Sequence, residues 1–406
     1  MGPGGDVGRL SDHPRPPSRR LPEPPPVRAA ADIVVFIAGI VLVVGAMLSA
    51  IRSTILPRAT QNRLSRLTIL GVRVAFRLRA RRSSSYERRD RVMAMLGPVA
   101  LLVLLFTWLV LIMAGYALMF AAAYGASPSR AVELSGSSVF TLGSAVPRNL
   151  GADLLSYSEA GLGLLVVTLL ITYLPSIYNA FSRRESGVSL LKVRAGDPPR
   201  ATTMLIRYHR IEEPGYRLSN LWQTWETWFV DVEETHTTFS VLPFFRSPLP
   251  EQSWVTAAGT LLDAASLWVA AIKHPLDPDA QLCIRAGTLA LRRIAALHDI
   301  PFETDPAPSD PISVDRSEWD SAFDELVDAG LDVVSDRETA WTAWSGWRVN
   351  YDAVLLNLAR LVEAPPAPWV SDRSPLRARS SWLQRGSAFT TPARSPARRA
   401  TGRRRG

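Results

Sequence analysis

Residues 135–147 read SGSSVFTLGSAVP, and their polarity is out of place. A long apolar run free of charged side chains lies on each side, Val92–Ser129 before and Ala160–Ser182 after. A third such run, Ile33–Ile51, comes earlier in the chain. Each meets or exceeds the ~18–20 residues a helix needs to cross ~30 Å of hydrocarbon. The chain therefore reads as an all-α membrane protein with three transmembrane helices. Val92–Ser129 is longer than one crossing requires, so it tilts, extends past the bilayer or gives up its end to a loop. Ile33–Ile51 reads as a retained span, because its apolar stretch exceeds that of a signal peptide and no small-x-small cleavage site follows it.

Charge sets the sidedness. The loop Arg52–Arg91 holds 12 arginines against only Glu87 and Asp90, and short basic loops stay in the cytoplasm. The residues after the third run, Ser182–Gly196, are basic as well. Both flanks of the second and third runs are then cytoplasmic, the segment between them faces outward, and the N-terminal tail is external. Within the basic loop, Leu64, Leu67, Gly71, Val74 and Leu78 recur at helical spacing, with Arg63, Arg66, Arg73 and Arg77 on another face. That pattern is a basic amphipathic helix, suited to anionic lipid headgroups or to packing on the cytoplasmic domain. It is not a voltage sensor, which needs arginines at every third position inside an apolar span.

The outward segment is long for a simple hairpin between spans. RAVELSGSSVF (130–140) has the makings of a short helix, followed by TLGSA and Pro147. Polar backbone enters a membrane only where protein or a water-filled cavity covers it. A cation pore uses that exception: successive backbone carbonyls and a threonine hydroxyl replace the hydration shell of the ion. Glycine supplies the backbone angles that aim carbonyls inward, and a short helix behind them points its negative end at the cavity.

Span, short helix, Thr-x-Gly-x-x, Pro and span together resemble the pore module of the tetrameric potassium-channel-like pore-loop superfamily. The resemblance covers residues 92–182, under a quarter of the chain. The final span, ending YLPSIYNAFSRRE (173–185), is also similar to that of uncharacterised bacterial membrane proteins carrying the module. Against the usual Thr-Val-Gly-Tyr-Gly-Asp filter stand Thr141, Leu142, Gly143, Ser144, Ala145 and Val146. Thr141 and Gly143 match; Ser144 replaces the aromatic, Ala145 the second glycine and Val146 the aspartate. A second register, counted back from Pro147, puts Thr141 and Gly143 at the two glycine positions. The resemblance implies a selectivity filter at Thr141–Ala145, four copies around one pore, and monovalent cations, potassium above all, as the permeating species. In the last span Gly161, Gly163 and Pro175 are candidate hinges for a gate, since proline removes a backbone hydrogen bond and favours a kink.

Residues 183–365 read as a cytoplasmic domain of four to six helices, with helical periodicity over Trp254–Lys273, Asp279–His298, Ser317–Val334 and Trp344–Leu361. Trp222, Trp225 and Trp228, three apart, anchor its core or its contact with the membrane face. Asp263, inside an apolar helix, calls for a buried arginine. Asp231, Glu233, Glu234 and His236 spread around a helix rather than converging on a metal, and His209, His274 and His298 stand singly. A lone Cys283 rules out an internal disulfide. The tails 1–30 and 366–406 are rich in Pro, Ser and Arg and cannot pack a core.

No phosphate loop, dinucleotide fingerprint, His-Glu-x-x-His pair or Gly-x-Ser-x-Gly elbow is present, so no enzyme, cofactor or metal is expected. The basic C-terminal tail gives no reason to expect specific nucleic-acid binding. The organisation read is a tail (1–30), a first span (31–52), a basic loop (53–91), a pore module (92–182), a cytoplasmic helical domain (183–365) and a basic tail (366–406). The function expected is a multi-pass plasma-membrane cation channel subunit, a homotetramer with a degenerate filter, gated through its cytoplasmic domain. The alternative is a non-conducting, membrane-anchored interaction or regulatory protein.

Overall fold

The computed structural model describes residues 26–54, 63–80, 86–147, 149–211 and 219–373. Every regular element among them is a helix. The first six are α1 (Pro26–Thr54), α2 (Arg63–Ala80), α3 (Tyr86–Ala94), α4 (Leu96–Tyr124), α5 (Pro128–Val139) and α6 (Leu150–Ala195). Seven follow: α7 (Ala201–Ile211), α8 (Ser219–Thr238), α9 (Trp254–Ala271), α10 (Pro278–Leu297), α11 (Arg316–Asp328), α12 (Arg337–Arg348) and α13 (Asp352–Val362). Four stretches of helix are long and apolar enough to cross a membrane: Ala29–Thr54, Glu87–Tyr124, Leu150–Ala195 and Trp254–Ala271. The fourth, α9, lies in the stretch Trp254–Lys273 that the sequence reading assigns to the cytoplasmic helical domain.

Contacts divide the described residues into two compact units, one made of those up to Arg73 with those from Val99 to Ser176, the other of those from Val74 to Pro98 with those from Ile177 onward. In the first unit, α1 and α4 cross backbone to backbone. A Cβ on Gly39 would lie 2.5 Å from Gly115 O, and one on Gly115 would lie 2.7 Å from Gly39 O. Small residues at a helix–helix crossing allow this approach and its dispersion gain. Nearby, Trp108 Nε1 donates to Ser49 Oγ at 3.0 Å, which satisfies a buried indole. The outer faces carry exposed apolar side chains such as Ile33, Val41, Phe106, Val110, Leu164 and Ile171.

α3 and α4 are separated by a turn at Met95. Pro98 accounts for the break: its ring clashes with the carbonyl four residues earlier, at Ala94, the last residue of α3. The long second run is thus resolved into a 29-residue helix with a short basic helix before it. α6 runs unbroken for 46 residues, about 69 Å at 1.5 Å per residue, so the third run and the basic segment beyond it are one element.

The second unit packs around α9, whose apolar window is 89% buried, against 28% for that of α1. A helix hydrophobic on all sides needs such a cover, and α7, α8, α10, α12 and α13 supply it. Trp222, Trp225 and Phe229 of α8 are fully buried in this core. Asp263 meets its expected arginine in Arg348, at 2.5 and 2.7 Å.

Several boundaries differ from the sequence reading. Seven α-helices and a short 3-10 helix at Leu242–Phe244, rather than four to six helices, follow α6 among the described residues. The periodic stretch Trp344–Leu361 is two helices, because residues 349–351 form a turn in which Asn350 Nδ2 donates to Gly346 O at 3.0 Å. α11 stops at Asp328 rather than near Val334. Gly330 takes φ +84°, and Leu331 N bonds Leu326 O at 3.1 Å in a left-handed cap. The folded chain also passes Pro365: Ala367 and Val370 are buried, and Arg348 Nη2 donates to Trp369 O at 2.6 Å. At the other end α1 begins at Pro26, inside the expected tail, where a proline loses no helical hydrogen bond. Residues 1–25 and 374–406 lie outside the described residues.

Candidate functional site

α5 is a 12-residue helix between α4 and α6 in the chain, with Ser127 as its N-cap and Pro128 in its first turn. Both choices favour a helix start at that point. Ala131, Leu134, Ser135, Ser137 and Val139 are buried. Ala131, Leu134 and Val139 join the apolar core of the first unit.

Its C-terminal end has an unusual cap. Thr141 N bonds Ser138 O at 3.0 Å and Leu142 N bonds Ser137 O at 2.8 Å, the pair of bonds that closes a helix on a left-handed residue. That residue is normally glycine. Here it is Thr141, at φ 53°, a conformation in which a β-branched side chain is an outlier. Gly143 is left-handed too, at φ 66°, and no atom lies within 4 Å of where its Cβ would be. Gly143 is therefore required for its backbone angle and not for space. Strain of this kind costs about 1–3 kcal/mol and gathers at functional sites.

The chain after this turn is tied back to α5. Ala145 N donates to Ser137 Oγ at 3.0 Å, and Arg130 Nη2 donates to Val146 O at 3.2 Å. Thr141, Leu142, Gly143 and Ser144 are left exposed together, while Ala145 is buried. The five expected filter residues thus fall into an exposed set of four and an anchored fifth. Ala145 faces the core because its backbone is the tether.

The hinge residues occupy three different environments. At Gly163 an added Cβ would lie 2.6 Å from Val139 O, so α6 and the end of α5 touch there through backbone. At Gly161 nothing lies within 4 Å. Pro175 sits within α6, which continues through it as helix.

The sequence reading missed Glu159. It stands just before the charge-free run Ala160–Ser182. In the structure it is fully buried and hydrogen-bonded to Ser135 of α5. The available signal was its spacing: four residues before Gly163, it falls on the same face of α6.

In the second unit two carboxylates of the acidic cluster pair with arginines. Asp231 pairs with Arg183 at 2.9 Å and Glu233 pairs with Arg293. His274 stacks on Trp268, with ring centroids 4.6 Å apart, and His298 packs edge-on against Phe244. His236 is buried beside Arg184, whose Nη1 lies 3.3 Å from its Nε2, and its Nδ1 lies 2.8 Å from Val232 O. A neutral ring donating from Nδ1 and accepting at Nε2 satisfies both contacts. Arg184 itself bonds Glu185, Leu242 O and Phe245 O.

Burial first, then the guanidinium of Arg184 and the nearby His298, hold the His236 imidazole well below its ordinary value of 6.5. The unfolded chain therefore binds a proton that the folded one refuses, and stability falls as pH drops below 6.5. The expected loss is about 1.4 kcal/mol per pH unit while only the unfolded state takes up the proton. Urea unfolding of wild type and His236→Gln across that range checks it: the slope should flatten in the variant. An equal slope in both would place the acid sensitivity elsewhere.

No protein-family model, curated protein or solved structure matches this chain.

Proposed function

We propose that the chain is a subunit of a membrane cation channel of the potassium-like type, with four copies enclosing one pore. The observation that carries this reading is the turn after α5. Thr141 and Gly143, alternate residues, are both left-handed, and the stretch Thr141–Ser144 is exposed although its flanks are anchored. A threonine held in that conformation has to be over-determined by its surroundings. An exposed run of strained backbone suits a site completed by other copies of the chain.

In this reading α1, α4 and α6 are the spans, and residues 128–147 form the re-entrant segment. α9 belongs to the cytoplasmic unit, because its apolar surface is already covered and its midpoint carries the Asp263–Arg348 pair. The arginines of the 52–91 loop support a cytoplasmic side for that loop and for the C-terminal unit, and the plasma membrane is the compartment we assign. The surface of α2 supports contact with anionic headgroups: Leu67, Leu70, Val74 and Leu78 are exposed along it, beside arginines. The unbroken course of α6 from Leu150 to Ala195 supports a gate worked from the cytoplasmic side.

The test is cation flux into liposomes holding the purified full-length chain, potassium against sodium, with Thr141→Ala and Gly143→Ala. Flux in the wild type and its loss in both variants is the expected outcome, with weak discrimination between the ions because Ser144 stands in place of an aromatic. A stable monomer without flux would overturn the channel reading and favour a membrane-anchored interaction protein.

A further inference from the structure

We propose that Glu159 is a neutral carboxylic acid at neutral pH, and that its proton completes a hydrogen-bond chain locking α6 to α5 and α4. The argument is a count of hydrogens. Ser135 Oγ lies within bonding distance of two oxygens, Met113 O on α4 at 2.8 Å and Glu159 Oε1 on α6. A serine has one hydroxyl hydrogen. If Glu159 were a carboxylate, both neighbours would be acceptors, and one close oxygen pair would hold no proton between them. With a proton on Oε1 every contact is used: Glu159 donates to Ser135, and Ser135 donates to Met113 O.

The surroundings agree. Glu159 and Ser135 are both fully buried, and Glu159 Oε2 has no hydrogen-bond partner among the described residues. Such an oxygen suits the carbonyl of an acid far better than half of a charge, since an unpaired carboxylate in an apolar interior is costly. The ionisable groups on the neighbouring helices are engaged elsewhere. Tyr116 of α4 bonds Ser158 Oγ at 2.9 Å, and on α5 Arg130 and Glu133 pair with each other on the exposed side. An ionisable residue placed in this way within a candidate span points to function.

Glu159 is a positioning residue. It holds Ser135, two residues before Ser137, whose hydroxyl anchors Ala145. Losing the proton strands a charge and breaks one of the two bonds at Ser135, which frees α5 from one neighbour. The consequence for permeation rests on the channel reading; the state of the proton does not.

The experiment is infrared spectroscopy of the full-length chain in phosphatidylcholine vesicles at about pH 7, wild type minus Glu159→Gln. The expected result is a neutral-acid C=O stretch present in the wild type and absent from the variant. Glutamine can still donate to Ser135, so the thermal midpoint of Glu159→Gln should stay within about 2 °C of wild type, whereas Glu159→Ala should fall by roughly 5 °C or more. A difference spectrum holding only carboxylate bands would overturn the inference. So would a Gln variant as unstable as the Ala variant. The infrared bands read the proton whether or not the vesicles pass cations, so absent flux counts against the channel reading alone.

Discussion

Replacing Arg348 by methionine is expected to destabilise the C-terminal helical unit by about 3–5 kcal/mol, a large part of the stability of an ordinary domain. Arg348 is fully buried and joins three segments. It reaches Asp263 of α9 at 2.5 Å, Asp352 of α13 at 2.8 Å and the backbone of Trp369 at 2.6 Å. The carboxylates are further satisfied by Tyr351 Oη, 2.9 Å from Asp263, and by Ser313 Oγ, 2.7 Å from Asp352. Burial alone would weaken the guanidinium's hold on its proton. The two carboxylates outweigh burial and hold the group above its ordinary value. Methionine fills much of the volume but leaves two buried carboxylates without a cation, and that is where the cost arises. Urea unfolding of the full-length chain in detergent, followed by tryptophan fluorescence, measures it. Arg348→Met with Asp263→Asn should recover part of the loss, because one stranded charge is removed. A shift below about 1 kcal/mol in the single variant would mean that water reaches the cluster and that it does not hold the three segments together.

The second large effect is expected at Gly163. Leucine there has to push against Val139 O, 2.6 Å from the position of its Cβ. Backbone cannot step aside as a flexible side chain does, so the end of α5 must move, at a cost of about 1–3 kcal/mol or more. That end carries the left-handed cap at Thr141, and the displacement should therefore reach the exposed turn. Gly161→Leu is the matched control. It has the same helix, the same change and nothing within 4 Å. Thermal unfolding in detergent should separate the two variants, with Gly163→Leu well below wild type and Gly161→Leu close to it. Where the vesicles conduct, flux should be lost in the first. Equal midpoints for the two variants would show that α5 and α6 do not meet at this residue.

Helix existence was legible along most of the chain, because the signals are local. A charge-free run of sufficient length or an apolar stripe at helical spacing needs only a window of neighbouring residues. Ser127 and Pro128 mark the start of α5 in the same local way. The breaks were harder to see. Pro98 was visible, but that its effect falls at Met95 follows from the geometry of the helix. The turn at residues 349–351 has no proline or glycine to announce it; Asn350 closes it by bonding the carbonyl of Gly346.

Burial and pairing were not legible, because they join residues far apart in the chain. Trp254–Ala271 is apolar enough to be a span, and only the helices packed around it make it a domain core. Asp263 asked for an arginine, but which of the chain's many arginines answers it depends on α12 returning 85 residues later. Glu159 stands at the edge of an apolar run in the sequence, and only the fold brings Ser135 against it from 24 residues away. The apolar pattern alone settled that the chain is helical and carries stretches suited to a bilayer, since burying such surface away from water is favourable in any arrangement. The partner of each buried polar atom was decided by tertiary packing. Hydrogen bonds and ion pairs are short-ranged and directional, and they exist only once distant segments have met.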